Sequence, residues 1–552
     1  MKKWEIIADL GIKNKKFKTE EVVEILLKNR GIKTKTEKEA FLNPKLSEIS
    51  SKTVMVDRTQ LNKTIKRINL AIENKEQIVI YGDYDVDGIC ASAILWETLN
   101  SMGAKVMPYI PHRIDQGYGL SENGIADLTS QIKYTKLIIT VDNGIVANKA
   151  VDFAKKQGID VIVTDHHVPS KKLPKAFSIV HTTLLCGTGV AYILAQKLRD
   201  SKTKYLELVA LATVADLVPL IGPNRTLLKY GLLELQNTKR KGLLALFDKA
   251  KINKKTIGVY EIGHIIAPRL NAMGRIDSAM DSLRLICTTD SKRAENLADK
   301  LTTTNKQRQV LTEESSIHAK TKVRNNKEKE DRLIFIADEG YEQGVIGLIA
   351  GKLVEEFYMP SIVISKGKTF SKASARSVSG FNIIEFIREE LDLLVDVGGH
   401  PMAAGFTVET KKLSLLEKKL KKRAAELLGG EMIKRSIKID LEIPYFNINQ
   451  NLYDSIQKLQ PFGMKNPEPV FLTRNLIIES MRLVGKDGKH LKFNFQFPNS
   501  KFQIQAIYFG AGENSKFSIG NSVDVVYSLE ANEWNGNKNL QLKIKEILVN
   551  NA

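Results

Sequence analysis

The stretch QIVIYGDYDVDGICASAILWETLNSMG, residues 77–103, decides the architecture of the chain. Its opening residues are a short apolar run rich in β-branched side chains, the pattern of a strand buried on both faces. Its closing part spaces apolar residues as a helix does, so strand gives way to helix across Y-G-D-Y-D-V-D-G. There Asp83, Asp85 and Asp87 alternate, and Gly82 and Gly88 let the backbone turn sharply. Carboxylates this crowded repel one another unless a cation neutralises them, so a divalent metal site is expected. A calcium loop of EF-hand type would need a helix ahead of the carboxylates, and here a strand precedes them.

Working outward, KLIITVDNG is followed by VANKAVDFAKKQG, and VIVTDHH comes next. Alternation of strand and helix at this spacing predicts a parallel sheet with helices on its faces, and such sheets place their chemistry at the carboxyl ends of the strands. Those ends carry Asp142 in one case and Asp165, His166 and His167 in another. Asp216, inside the apolar run LVALATVADLVPL, needs a cation or a strong donor if it is buried. Mixed carboxylate and imidazole donors suit Mn²⁺ or Mg²⁺ better than structural zinc. They are more than one ion requires. Two ions about 3.5–4 Å apart would activate a water against a phosphoryl group, which points to hydrolysis of a phosphate ester or anhydride.

The 552 residues are too many for one core, and 43% hydrophobic with 26% charged residues excludes a mainly disordered or fibrous chain. Lys and Arg number 83 against 63 Asp and Glu, a net +20 that favours a polyanion as partner, nucleic acid first and an anionic membrane surface second. Cys90, Cys186 and Cys287 are too few and scattered for a disulfide framework. The amino-terminal MKKWEIIADLGIKNKKF lacks the apolar run of a signal peptide, and no segment is long and apolar enough to span a membrane, so a cytoplasmic, nucleoid-associated protein without a membrane partner is expected.

The texture of the sequence divides it into an N-terminal helical segment (1–50), a parallel-sheet α/β domain (51–290), a connecting helix and polar linker (291–330), a smaller α/β domain (331–430) and an all-β region (431–552). The last reads as a small β-barrel, an OB-fold. The run KKLSLLEKKLKKRAAELLGGEMIKR (411–435) reads as one basic amphipathic helix and its exit, either a solvated face or a nucleic-acid track. Phe493, Phe495 and Tyr508 are candidates for base stacking, although strand aromatics more often belong to the core.

D-Y-D-V-D-G, V-D-N-G, T-D-H-H and V-A-D resemble the four signature motifs of the DHH phosphoesterase superfamily, and G-G-H-P-M-A-A-G-F (398–406) resembles the hallmark of its DHHA1 domain. C-G-T-G-V-A, A-D-L-V-P-L-I-G-P-N-R, A-P-R-L-N-A-M-G-R, G-V-I-G-L-I-A and P-F-G-M-K-N-P-E-P-V-F narrow the resemblance to RecJ-type exonucleases over about residues 75 to 475. The resemblance implies a single-strand-specific 5′→3′ DNA exonuclease of repair and recombination, with DHH, DHHA1 and OB domains. It implies that Asp83, Asp85, Asp87, Asp142, His166 and Asp216 hold two Mn²⁺ or Mg²⁺ ions. His167, supported by Asp165, would hold the scissile phosphate.

By the same resemblance Arg113 helps capture a 5′-terminal phosphate, and Arg269 and Arg275 belong to a loop that meets the nucleotide backbone. Ser374, Arg376, Ser377, Gly398, Gly399 and His400 form the far wall of a groove. Implied partners are 5′-phosphorylated single-stranded DNA, a single-strand-binding protein and a RecQ-type helicase, with the exonuclease itself a monomer. Two departures stand out: a shortened segment that should make His181 to Leu185 a tight turn, and Tyr341-Glu342 where relatives carry Trp-His. Two other readings stay open, a hydrolase of short oligonucleotides or small phosphorylated nucleotides and a catalytically inactive strand-binding scaffold.

Overall fold

The computed structural model describes residues 2–8, 17–112, 119–199, 204–326, 331–429, 434–497, 502–512, 517–534 and 537–550. A first strand, β1 (Lys3–Ala8), joins a sheet formed by the far end of the sequence. β2 (Gln77–Tyr81), β3 (Val106–Tyr109), β4 (Thr135–Val141), β5 (Asp160–Asp165) and β6 (Ser178–His181) make a five-stranded sheet in the order β3-β2-β4-β5-β6, with every pairing parallel. β2 and β4 are apolar and almost wholly buried, as a sheet covered on both faces demands. The helix Val86–Ser101 leaves β2 and is buried nearly all round, packing against the helices Gly187–Arg199 and Leu206–Ala215.

From β2 the chain moves first to β3 on one side and then to β4 on the other. The strand order therefore reverses between β2 and β4, and loops leaving in opposite directions open a crevice at the carboxyl ends. β2, β4 and β5 end there side by side. β6 ends at His181 and the next helix begins at Gly187, so the intervening segment is the tight turn expected.

The helix Ser291–Asn326 runs 36 residues without a break, through the stretch the sequence reading assigned to a polar linker. Ion pairs explain why polarity did not end it: Lys320 and Arg324 both hold Glu356, Lys322 holds Asp338, and Lys352 holds Glu313. These partners lie on or beside β7 (Ile334–Asp338) and the helix Ile346–Phe357. β8 (Ser361–Ser365), β9 (Phe370–Arg376), β10 (Leu394–His400) and β11 (Ala403–Glu409) complete a second sheet, ordered β10-β11-β9-β8-β7. Only its β7–β8 pair is parallel. The basic helix, Leu413–Leu427, buries Leu413, Leu416, Leu420 and Ala424, and Lys419, Lys421 and Arg423 pair with Glu390, Glu417 and Glu389.

Residues Leu46–Val218 and Thr226–Lys434 form one compact unit, and Met1–Lys45, Pro219–Arg225 and Arg435–Ala552 form the other. In the second, β12 (Ser436–Glu442), β13 (Phe471–Val484), β14 (His490–Gln496), β15 (Gln503–Tyr508), β16 (Ser522–Trp534) and β17 (Asn537–Val549) pair in the order β12-β13-β14-β15-β17-β16. β16 pairs back onto β13 and closes a five-stranded barrel in which β15–β17 is the parallel pair, the OB topology. β13 pairs with β12, β14 and β16, shifting register at Thr473/Leu476 and Ile478/Ser480. Phe493 and Phe495 are buried at its centre and Tyr508 is half-buried, so the first two are core and not stacking surfaces.

The helical segment expected over 1–50 contains the helices Thr19–Asn29 and Lys35–Leu42, but it also supplies β1, parallel to β12 with Lys3 opposite Ser436. Its pairing partner lies at the other end of the sequence, so local periodicity carries no trace of it. Arg225 is 1% exposed and donates to the carbonyls of Phe41, Leu459 and Gln460 at 2.8, 3.0 and 2.7 Å, with the Phe41 ring stacked at 3.7 Å.

Candidate metal centre

The alternating aspartates do different work. Asp85 is the N-cap of the helix Val86–Ser101, its Oδ1 accepting from the backbone N–H groups of Asp87 and Gly88 at 2.9 and 3.1 Å. Asp87, almost fully buried, accepts from the N–H groups of Gly187 and Thr188, both at 2.6 Å, and so caps the neighbouring helix as well. Two positive helix ends therefore meet one acidic cluster. Asn271 fixes the same turn from outside, its Oδ1 accepting from Val86 N–H at 2.9 Å.

Asp142 follows β4 with φ of +63°, a left-handed conformation that a non-glycine residue adopts at some strain. Gly187 stands directly against it: a Cβ there would lie 2.6 Å from the Asp142 carboxylate. His166 follows β5 and aims Nε2 at three carboxylates, 3.1 Å from Asp142 Oδ1, 3.6 Å from Asp216 Oδ2 and 3.7 Å from Asp87 Oδ2. Nε2 of His166 and Oδ1 of Asp142 are inaccessible to solvent and without a hydrogen-bond partner among the described residues.

Donor atoms fall into overlapping groups, each within 4.8 Å: Asp83, Asp85 and Asp142; Asp87, His166 and Asp216; Asp142, His166 and His167. Burial, reinforced by the neighbouring carboxylates, raises the proton affinity of Asp142 far above the ordinary carboxylate range, raises Asp85, and pushes Asp216 up to about 8. Such a cluster cannot ionise fully without a cation. The orphaned donors and the oxygen-rich, thiolate-free set fit Mn²⁺ or Mg²⁺.

Asp165 is committed elsewhere. Its Oδ2 accepts from Ile145 N–H at 2.9 Å, and its Oδ1 takes the N–H of His166 and Nδ1–H of His167, both at 2.7 Å. Burial opposes a charge on His167, but the bond to Asp165 and the surrounding carboxylates raise it to about 9. Asp165 and the acidic cluster thus favour the protonated form of His167. His181 Nε2–H donates to the His167 carbonyl at 2.7 Å, a support that sequence reading missed because an isolated imidazole after a strand carries no signal of its own.

The remaining candidates divide. Arg113 lies outside the described residues. Arg269 donates through Nη1 to the Ile265 carbonyl at 2.7 Å, and Arg275 through Nη1 to the Gly344 carbonyl at 3.2 Å. Arg376 Nη1 donates to Ser374 Oγ at 3.2 Å on β9, whereas Ser377 is buried and spends its hydroxyl on the Phe381 carbonyl at 2.6 Å. Gly398, Gly399 and His400 lie exposed on β10, and the His400 ring faces that of His167. Gly399, at φ of +143°, could not carry a side chain, since a Cβ would meet the Ala403 carbonyl at 2.3 Å. Tyr341, in place of the tryptophan, is buried and hydrogen-bonds His318 at 3.1 Å, so an imidazole reaches this place from the long helix.

Three family models match the chain in order: the DHH family, N-terminal domain, at residues 77–213; the DHHA1 domain at 330–426; and the RecJ OB domain at 439–546. The single-stranded-DNA-specific exonuclease RecJ of Bacillus subtilis (strain 168) is 36% identical over 546 residues, covering 96% of this chain and 68% of that protein. The chain belongs to the RecJ family. The crystal structure of RecJ from Thermus thermophilus in complex with Mn²⁺ superposes with a TM-score of 0.82 at 26% identity, covering all of this chain and 80% of that one. The Mg²⁺ complex of that protein gives 0.77 at 25%, covering all of this chain and 79% of that one. RecJ architecture is thus present throughout: a parallel-sheet DHH domain, a long connecting helix, a DHHA1 domain and an OB barrel. No helix among the described residues is long and apolar enough to cross a membrane.

Proposed function

We propose that this RecJ-family chain is a metal-dependent exonuclease that degrades single-stranded DNA in the 5′→3′ direction to mononucleotides. The observation that carries the reading is the meeting of His166 Nε2 with Asp142, Asp216 and Asp87 inside 3.7 Å, at the carboxyl edge of a parallel sheet. Asp83, Asp85, Asp87, Asp142, His166 and Asp216 hold two Mn²⁺ or Mg²⁺ ions. When bound, the ions lower the pKa of an attacking water and neutralise charge developing on the phosphoryl group.

The chain's own residues do the rest. His167, kept protonated by Asp165, donates to an oxygen of the scissile phosphate, and His400 lies on its other side. Arg376 and Ser374 on β9 supply further donors. Arg269 and Arg275 meet the strand backbone. Arg113 is assigned the 5′-terminal phosphate on resemblance alone. The exonuclease works as a monomer in DNA repair and recombination, in the cytoplasm at the nucleoid, beside a single-strand-binding protein and a RecQ-type helicase. Its domains divide near residues 50, 290, 330 and 430.

End-labelled single and double strands, digested with Mn²⁺, Mg²⁺ or chelator, test the reading. Stepwise loss of 5′ label from the single strand with metal only is the expected result. Cleavage of the duplex, internal cleavage, or a strong preference for dinucleotides would overturn it.

A further inference from the structure

One face of the long helix Ser291–Asn326 is buried along nearly its whole length at heptad spacing. It is apolar where it starts, at Ala294, Ala298 and Leu301, and apolar again at Ala319 and Val323. Between these ends the same stripe carries Asn305, 3% exposed, and the half-buried Arg308. Its first part packs on the helices Lys241–Lys249 and Met280–Cys287, and its last part on Ile346–Phe357. The polar interval lies between these, and the helix Ala267–Ile276, which carries Arg269, also packs against the long helix.

Some polar groups here are self-satisfied: Thr312 and Ser316 donate to carbonyls one turn back, at 2.7 and 2.5 Å. Others are not. Asn305 Oδ1, Arg308 Nε and Arg269 Nε are inaccessible and meet no partner among the described residues, and no described carboxylate pairs with either arginine. Each such group is costly when left unpaired. Leucine or alanine at 305 and 308 would simply have continued the stripe. Arg308 Nε–H, in a polar break set between two apolar ends, is a donor that an anionic ligand with acceptor oxygens would complete, whereas Asn305 Oδ1 accepts only.

We propose that Arg308 of the long helix grips a backbone phosphate of the bound single strand. The ligand rests on the nuclease reading; the site does not belong to the metal cluster. Arg308 is then a binding residue on an element that otherwise looks like a connector.

The experiment is a fluorescence-anisotropy titration of a labelled 5′-phosphorylated oligothymidylate against the full chain in chelator, across a series of salt concentrations. Arg308→Met should weaken binding about tenfold, as loss of one charge-assisted contact does, and should flatten the slope of log affinity against log salt by about 0.7. Arg308→Lys should keep the slope. The melting temperature of Arg308→Met should rise, because an inaccessible, unpaired Nε–H is gone. If that variant does not fold, Arg308→Gln reads the same loss of charge. Unchanged affinity and slope in a folded, uncharged variant would overturn the site while leaving the nuclease reading intact. A wild-type chain with no salt-dependent strand binding would overturn both.

Discussion

His167 and His400 face one another with ring planes 14° apart and centroids 6.1 Å apart, the first just beyond β5 and the second at the end of β10 in the same compact unit. That centroid separation lies within the range of about 4.5–7 Å for paired rings. Burial, and then the charge on His167, pushes the His400 pKa below that of a free imidazole. The two imidazoles are therefore biased oppositely, His167 toward the protonated form and His400 toward the neutral one. Replacing His400 by alanine should raise KM on single strands about tenfold, the worth of one hydrogen bond to a charged group, with a smaller change in kcat. Steady-state kinetics at saturating Mn²⁺ check this, and an effect confined to kcat would remove His400 from the substrate.

Asp165 sets the charge on His167, so Asp165→Asn should let the His167 pKa fall from about 9 toward the free-imidazole value near 6.5. The imidazole resonances of the metal-free protein, followed by NMR against pH, report this directly. The cationic form persists below the folded pKa and is lost as pH rises through it, so the wild-type imidazole should titrate on the alkaline side of neutrality and the variant's near pH 6.5. A pKa unmoved by the substitution would separate the two residues.

Asp142 belongs to two of the three donor groups and has no other partner for its Oδ1. Asp142→Ala should lower hydrolysis by at least about a thousandfold, in line with the several kcal/mol that metal assistance supplies. Single-strand binding in chelator should stay within about threefold, less than 1 kcal/mol. Turnover and anisotropy measured on one preparation decide it.

The raised proton affinities of Asp85, Asp142 and Asp216 fix a sign. Folded, these carboxyls keep protons that the unfolded chain releases near pH 4, so the stability of the metal-free protein falls as pH rises from about 4 to about 8, where Asp216 titrates. Mn²⁺ replaces those protons. The gain in Tm on adding Mn²⁺ should therefore be larger at pH 8 than at pH 6, as calorimetry would show, and the opposite order would contradict the cluster.

Gly187 is required by the space beside Asp142 and not by its backbone angles. Gly187→Ala should displace the carboxylate and cost about 1–3 kcal/mol in stability as overpacking. Mn²⁺ affinity measured by calorimetry should fall. Unaltered metal binding would show that the loop yields freely.

The metal cluster was legible because each of its donors follows a strand or ends a helix within a few residues, so that period, turn and chemistry are written together in YGDYDVDG, TVDNG and VTDHH. The OB barrel was legible from strand length and turn residues alone. What escaped is what depends on distant partners. β1 pairs with Ser436–Glu442, the end of the long helix is held by Glu356 and Asp338, and Phe493 and Phe495 look like surface candidates until the barrel closes over them. Ser377 resembled a phosphate ligand, yet its hydroxyl belongs to its own turn.

Arg225 finally bears on how the protein is dissected. Removing everything after residue 430 would leave Pro219–Arg225 stranded, a guanidinium stripped of the Leu459 and Gln460 carbonyls beneath it, only a few residues downstream of Asp216. Pro219–Arg225 folds with the C-terminal unit, so truncation removes its partners along with the barrel, and point substitution on the barrel surface is the tool that assigns the barrel's role.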